Sequence, residues 1–361
     1  AQKSITLLKN NGILPLSKST PKKILVTGPN SNNSTILGDW HMPQPEENIT
    51  TVYEGIKNLA EPLGFEVSYF DSGQNLRRIK NTRIDEAAKL SKEADLVILV
   101  VGENSLRYKW SQKTAGENMA RADLRLPGKQ LDLVKAVYQA GTPVVVVLVN
   151  GRPISEPWLQ DNIPAIVEAW EPGSFGGQAV AEVLFGDVNP SGKLPLTVAR
   201  SVGQLQMIYN HKPSHYFHKY AFEKNMPLYP FGFGLSYTQF EISEPTLSSS
   251  KINDSETITL STVVSNTGSY NGEEIVQLYI RDRVSSVTRP VKELKGYQRV
   301  SLTPGASQKL EFDITPEMLA FYDVEMNYVV ESGMFDIMVG NSSADKDLKK
   351  VSMEVVNQIN F

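Results

Sequence analysis

The 361-residue chain contains no cysteine, which excludes disulfides and thiolate metal centres outright. Without covalent staples the fold must rest on packed cores, and a chain of this length has room for two. No apolar run approaches the ~18–20 residues of a membrane-spanning helix. A dominant charge is missing as well. The 36 Lys and Arg face 40 Asp and Glu, for a net −4, and the basic residues are scattered, so nothing offers a nucleic acid an electrostatic footprint. Phosphate-cradling motifs are also absent: Gly28-Pro29-Asn30-Ser31 follows an apolar run but lacks both G-x-G-x-x-G and a P-loop lysine. Of only four histidines, three (His211, His215 and His218) fall close together, but no Asp or Glu joins them at ligand spacing. Their neighbours Tyr209, Tyr216, Phe217 and Tyr220 suit a packed linker. No metal and no cofactor is expected.

What is present alternates. Apolar runs at 23–28, 65–70, 96–101, 144–149 and 165–170 read as strands, separated by helical patterns at 51–63, 84–93, 128–139 and 179–185. LVILVV and VVVVLV are apolar throughout, as strands covered on both faces must be. This is the signature of an α/β sandwich, a mostly parallel sheet with helices on both faces. Residues 1–16 read as an amphipathic helix running into a loop. From about residue 236 the period changes to two. Val276, Leu278 and Ile280 fall on one face of a strand and Gln277, Tyr279 and Arg281 on the other. Turn signals such as Asn266-Thr267-Gly268 punctuate several such strands, predicting an all-β sandwich. The expected division is an α/β domain at 1–210, an aromatic, Pro- and Gly-rich connector at 211–237, and a β domain at 238–361.

Several stretches together resemble the family 3 glycoside hydrolases. They are SITLLKNNGILPL (4–16), GDW (38–40), VVGE (100–103), GENMARADLRLPGKQ (116–130), LVNGRP (148–153), EAWEPG (168–173), LFGDVNPSGKLP (184–195) and YPFGFGLSYTQF (229–240), followed by GEEIVQLYIRD (272–282) and RPVKELKGYQRVSL (289–302). Any one is weak; all of them in order, across the whole chain, are specific. The resemblance implies a C-terminal α/β sandwich domain and a fibronectin type III-like domain. It also implies a (β/α)8 barrel ahead of them that bears the nucleophile. The chain starts where that barrel would already have ended, so a partial enzyme is expected, inactive by itself, whose barrel comes from the parent chain or a separate subunit. The implied substrate is a β-glycoside or oligosaccharide. The expected compartment is the periplasm or the exterior, with the cytoplasm left open; the lack of cysteine fits all three. A non-catalytic carbohydrate- or partner-binding module is the competing reading.

A retaining glycosidase needs two carboxyl groups ~5–5.5 Å apart, one attacking and one protonating the leaving oxygen. Two glutamates qualify for the second role. Glu117 lies four residues ahead of Arg121 and ten ahead of Pro127, the order that the resemblance implies for the acid/base. The runner-up, Glu103, ends an apolar strand, where a carboxylate commonly organises the backbone. Arg121 cannot usefully pair with Glu117, because a guanidinium opposes protonation of its partner; it is expected to brace the loop, to meet another carboxylate or to contact substrate. Sugars stack their C–H faces on aromatic rings. That makes Trp40 and, more weakly, Trp110 candidate substrate contacts, against a plain reading of Trp40 as core packing. Asp39 and His41, flanking Trp40, are candidate ligands for sugar hydroxyls.

Overall fold

The two continuously apolar runs form the middle of a six-stranded sheet. Its strands are β1 (Thr6–Asn10), β2 (Lys23–Thr27), β3 (Glu66–Phe70), β4 (Leu96–Gly102), β5 (Val144–Val149) and β6 (Ala165–Glu168), in the order β1-β6-β5-β4-β2-β3. β2 to β6 run parallel, and every residue of β4 and β5 is buried. The structure is a computed structural model that describes residues 1–20, 22–213, 219–253 and 256–361. His215, Tyr216, Phe217 and His218 of the expected linker lie outside the described residues.

Helices α1 (Val52–Ala60), α2 (Asn81–Ser91), α3 (Gln130–Gln139) and α4 (Pro157–Asn162) connect these strands, and α5 (Gly176–Leu184) follows β6. Val52 and Ile56 of α1 and Val180 and Val183 of α5 share one core with Ile24, Ile98 and Val147 of the sheet. α2 and α3 pack on each other and touch β2 and β4. Helix α3 begins at Gln130 and not at 128, because Gly128 is left-handed (φ +66°) and cannot belong to a right-handed helix. Among the described residues no helix is long and apolar enough to cross a membrane.

The opening segment departs from expectation. Residues 6–10 form β1, antiparallel to β6, where a helix was predicted. Ile5 and Leu8 have helical spacing, but Ile5, Thr6 and Leu7 are all fully buried, a pattern that no single helix face produces. Leu7 also accepts from the backbone of Leu235 (2.8 Å), so both edges of β1 are occupied. The Asn10 side chain then accepts from Gly12 and Leu14, which turns the chain.

The chain divides into two compact units. The first is Ala1–Lys193, Val198–Leu205 and Gly234–Tyr237; the second is Leu194–Thr197, Gln206–Phe233 and Thr238–Phe361. In the second, β7 (Phe240–Ile242), β8 (Thr246–Leu247), β10 (Ile258–Asn266) and β13 (Ser307–Ile314) form one sheet. β9 (Lys251–Ile252), β11 (Gly272–Asp282), β12 (Glu293–Leu302), β16 (Gly333–Gly340) and β17 (Leu348–Val355) form another, and β14 (Phe321–Tyr322), β15 (Tyr328–Val330) and β18 (Ile359–Asn360) a small third. Val276, Leu278 and Ile280 point into the core as their period predicts. Gln277 and Tyr279, on the opposite face of the strand, are buried too. Residues of the same unit ahead of the sandwich cover them: Tyr209 stacks on Phe231 and meets Tyr279 edge-on, and Gln277 donates to the carbonyl of Gly232 (3.0 Å).

Candidate active site

The carboxyl ends of parallel strands are where an α/β sheet builds sites, and the buried Glu103 and Glu168 stand just past the end of β4 and at the end of β6. Glu117 sits on a turn between two left-handed residues, Gly116 (φ +87°) and Asn118 (φ +59°). A side chain at 116 would place its Cβ 2.6 Å from Asp39 Oδ2, so glycine is required twice over. The turn is fixed by its backbone. Glu117 N–H donates to Asp39 Oδ2 (2.5 Å), and Lys113 Nζ donates both to Asp39 Oδ1 and to the carbonyl of Glu117, each at 2.9 Å. Lys113 has no exposed side-chain surface; it is a buried cation matched to a nearly buried anion. Burial pushes the Asp39 carboxyl up, but the Lys113 and Glu117 hydrogen bonds and the charges of Lys113 and Arg107 outweigh it, holding the carboxyl below its ordinary value.

With its backbone fixed, the Glu117 side chain faces outward, 43% exposed. Arg107 Nη2 donates to its Oε2, and Arg107 Nε lies 3.5 Å from Asp39 Oδ1. The same guanidinium lies 3.8 Å from the centre of the Trp40 ring, a cation–π contact. Trp40 is 77% exposed and Trp110 52%, so core packing is not what Trp40 does. Lys113 Nζ lies 5.1 Å from the Trp110 ring. His41 meets Tyr108 edge-on, and neither of its ring nitrogens has a hydrogen-bond partner among the described residues.

Glu103 is arranged in the opposite way. Its side chain has no exposed surface, and Oε1 accepts from Arg121 Nη1 (2.8 Å) and lies 3.5 Å from Arg152 Nε. Burial raises its pKa against the two arginines. Glu168 is buried at the end of β6, accepting from Trp170 N–H (2.9 Å) and the Asn150 amide (3.1 Å). Burial raises it to about 8, with the charge of Glu103 adding to the rise. Glu171, hydrogen-bonded by Ser105, is likewise raised by burial.

Two expected substrate contacts are therefore engaged inside the protein. Asp39 has both oxygens hydrogen-bonded by the loop that carries Glu117. Arg121, 11% exposed at its side chain, holds Glu103 and the carbonyl of Arg125 (2.6 Å). Bracing was one expectation for Arg121, and that is its place. Arg107, Lys113 and Arg152 escaped the sequence reading. Lys113 and Arg107 carry no local pattern that marks them, whereas Arg152 and Glu168 stand in the quoted stretches LVNGRP and EAWEPG.

Residues 5–237 match the family described as "Glycosyl hydrolase family 3 C-terminal domain", and residues 274–343 match a "Fibronectin type III-like domain". Among curated relatives, a β-xylosidase of Formosa agariphila is 40% identical, over 98% of this chain and 49% of its own length. A periplasmic β-glucosidase of Salmonella typhimurium is 38% identical over 95% of this chain and 48% of its own. A crystal structure of a Listeria innocua β-glucosidase in complex with isofagomine superposes with a TM-score of 0.89 at 31% identity, covering 98% of this chain and 48% of that one. The chain spans about half the length of the relatives it matches.

Proposed function

The chain belongs to glycosyl hydrolase family 3, and from that premise we propose that it supplies the general acid/base of a retaining exo-acting β-glycosidase, with Glu117 as that group. The nucleophile would come from a barrel domain carried by the parent polypeptide or a separate subunit. The observation that carries the reading is the contrast between the two candidate carboxyls. Glu117 is outward-facing on a fixed turn beside two exposed tryptophans, whereas Glu103 is sealed behind two arginines.

In the first half of the reaction a protonated Glu117 gives its proton to the departing glycosidic oxygen while the barrel carboxylate attacks the anomeric carbon. In the second, the ionised Glu117 takes a proton from the water that releases the sugar. A proton on Glu117 removes the charge that attracts Arg107. The guanidinium keeps an anchor in Asp39, already 3.5 Å from its Nε, so the acid can lose its partner without leaving a stranded cation. Trp40 and Trp110 would stack on the leaving sugar, whereas both ring nitrogens of His41 are buried and do not face a sugar hydroxyl. The periplasmic relative supports a compartment outside the cytoplasm.

The leaving group tests the assignment. In the barrel-bearing enzyme, Glu117→Ala should cut turnover of poor leaving groups by about 10²–10⁴ and of good ones far less, since those need little proton assistance. Equal losses on both would remove Glu117 from the role. The chain alone should not hydrolyse an aryl β-glycoside, and adding a family barrel domain should restore turnover.

A further inference from the structure

Two of the holds on the loop that carries Glu117 flank the carboxyl itself. Asp39 holds it at 117; the second hold starts from Glu103 and reaches the loop through two guanidiniums. Arg121 belongs to the loop itself, and its Nη2 also closes onto the carbonyl of Arg125 (2.6 Å). Arg152, from beyond β5, turns its Nη2 to the carbonyl of Met119 (3.0 Å). Both converge on Glu103 Oε1. Glu103 itself cannot yield: its N–H donates to Val149 (2.9 Å), its carbonyl accepts from Asn30 (2.9 Å), and Gln130 brackets the N–H and carbonyl of Gly102 just before it.

We propose that Glu103 is a positioning residue for the acid/base: a rigid buried anion that fixes Arg121 and Arg152, which in turn fix residues 117–125. It never touches substrate. The proposal rests on the reading of Glu117 given above. The charged groups facing Glu103 are Arg121, Arg152 and Glu168, so replacing its charge leaves two cations facing one buried carboxyl, and the arginines lose their common anchor.

Two measurements test this. In the 361-residue chain, Glu103→Gln should speed amide hydrogen exchange at 117–121 by about tenfold or more beyond any change in β4, β5 and β6, whose exchange follows global stability. Should that variant fail to fold, Arg152→Met, which removes only the outer link, should speed the same amides. In the barrel-bearing enzyme, either variant should lower kcat for poor leaving groups by about tenfold and leave good ones and KM nearly unchanged. Loop exchange that stays at the native rate, or equal losses on both leaving groups while Glu117→Ala remains selective, would overturn the proposal. If Glu117→Ala is itself unselective, it is the acid/base reading that has failed.

Discussion

Glu103 and Glu117 lie fourteen residues apart on one loop-and-strand segment, yet they occupy opposite electrostatic surroundings. At 103 the carboxylate is dry and shared by two arginines, with its backbone locked into the sheet. At 117 the backbone is just as firmly held, but the side chain is free to meet solvent. A protein that needs a mobile proton at an exact place can fix the main chain and leave the carboxyl outside. On the reading proposed above, the difference also separates what stabilises the fold from what would perform chemistry, and several measurements can sharpen or break it.

The largest stability effect should come from removing a buried charge. Glu103→Ala, or Lys113→Met on the other side of the loop, leaves its partner uncompensated and should cost about 3–5 kcal/mol in denaturant unfolding. Glu117→Ala should leave the unfolding midpoint essentially where it is. A loss at Glu117 as large as that at Glu103 would erase the contrast.

Next comes the pH dependence. The Glu168 carboxyl stands at about 8, against 4.5 for an unperturbed glutamate. The folded state therefore keeps a proton that the unfolded chain has already released. That stabilisation is complete below about 4.5 and fades as pH rises through 8, by at most about 1.4 kcal/mol per pH unit. Glu168→Gln should flatten the slope of stability between these limits; an unchanged slope would place the titration elsewhere. Smaller still, Gly116→Ala should cost about 1–3 kcal/mol, from the left-handed backbone and the crowding of Asp39, and should disturb the 117 turn before it disturbs the sheet.

Much of this was readable from residues alone. LVILVV and VVVVLV could only be strands covered on both faces, and they are β4 and β5. The ordered motifs pointed to the family; Glu117 as its acid/base was implied by that resemblance and stands as the proposal made above. The misreadings share a cause, which is that partners distant in sequence decide local outcomes. β1 looks helical until β6 and Leu235 occupy its two edges. Gln277 and Tyr279 have the spacing of the face opposite the core, but Tyr209, Phe231 and Gly232, far earlier in the chain, cover them. Asp39 looks like a free ligand because its donors, at 113 and 117, are more than seventy residues away. Nothing near Lys113 announces a cation that will be entirely enclosed.

The roof that Tyr209, Phe231 and Gly232 place over Gln277 and Tyr279 bears on how the β-rich part can be excised. A boundary drawn just ahead of β7 would strip a stacked aromatic pair from the sheet and bare a phenol and an amide built for a dry setting. Such a truncated piece should be sticky and poorly behaved, whereas one starting near 194 carries its own cover. Transplanting this sandwich to another protein therefore means moving its preceding segment with it.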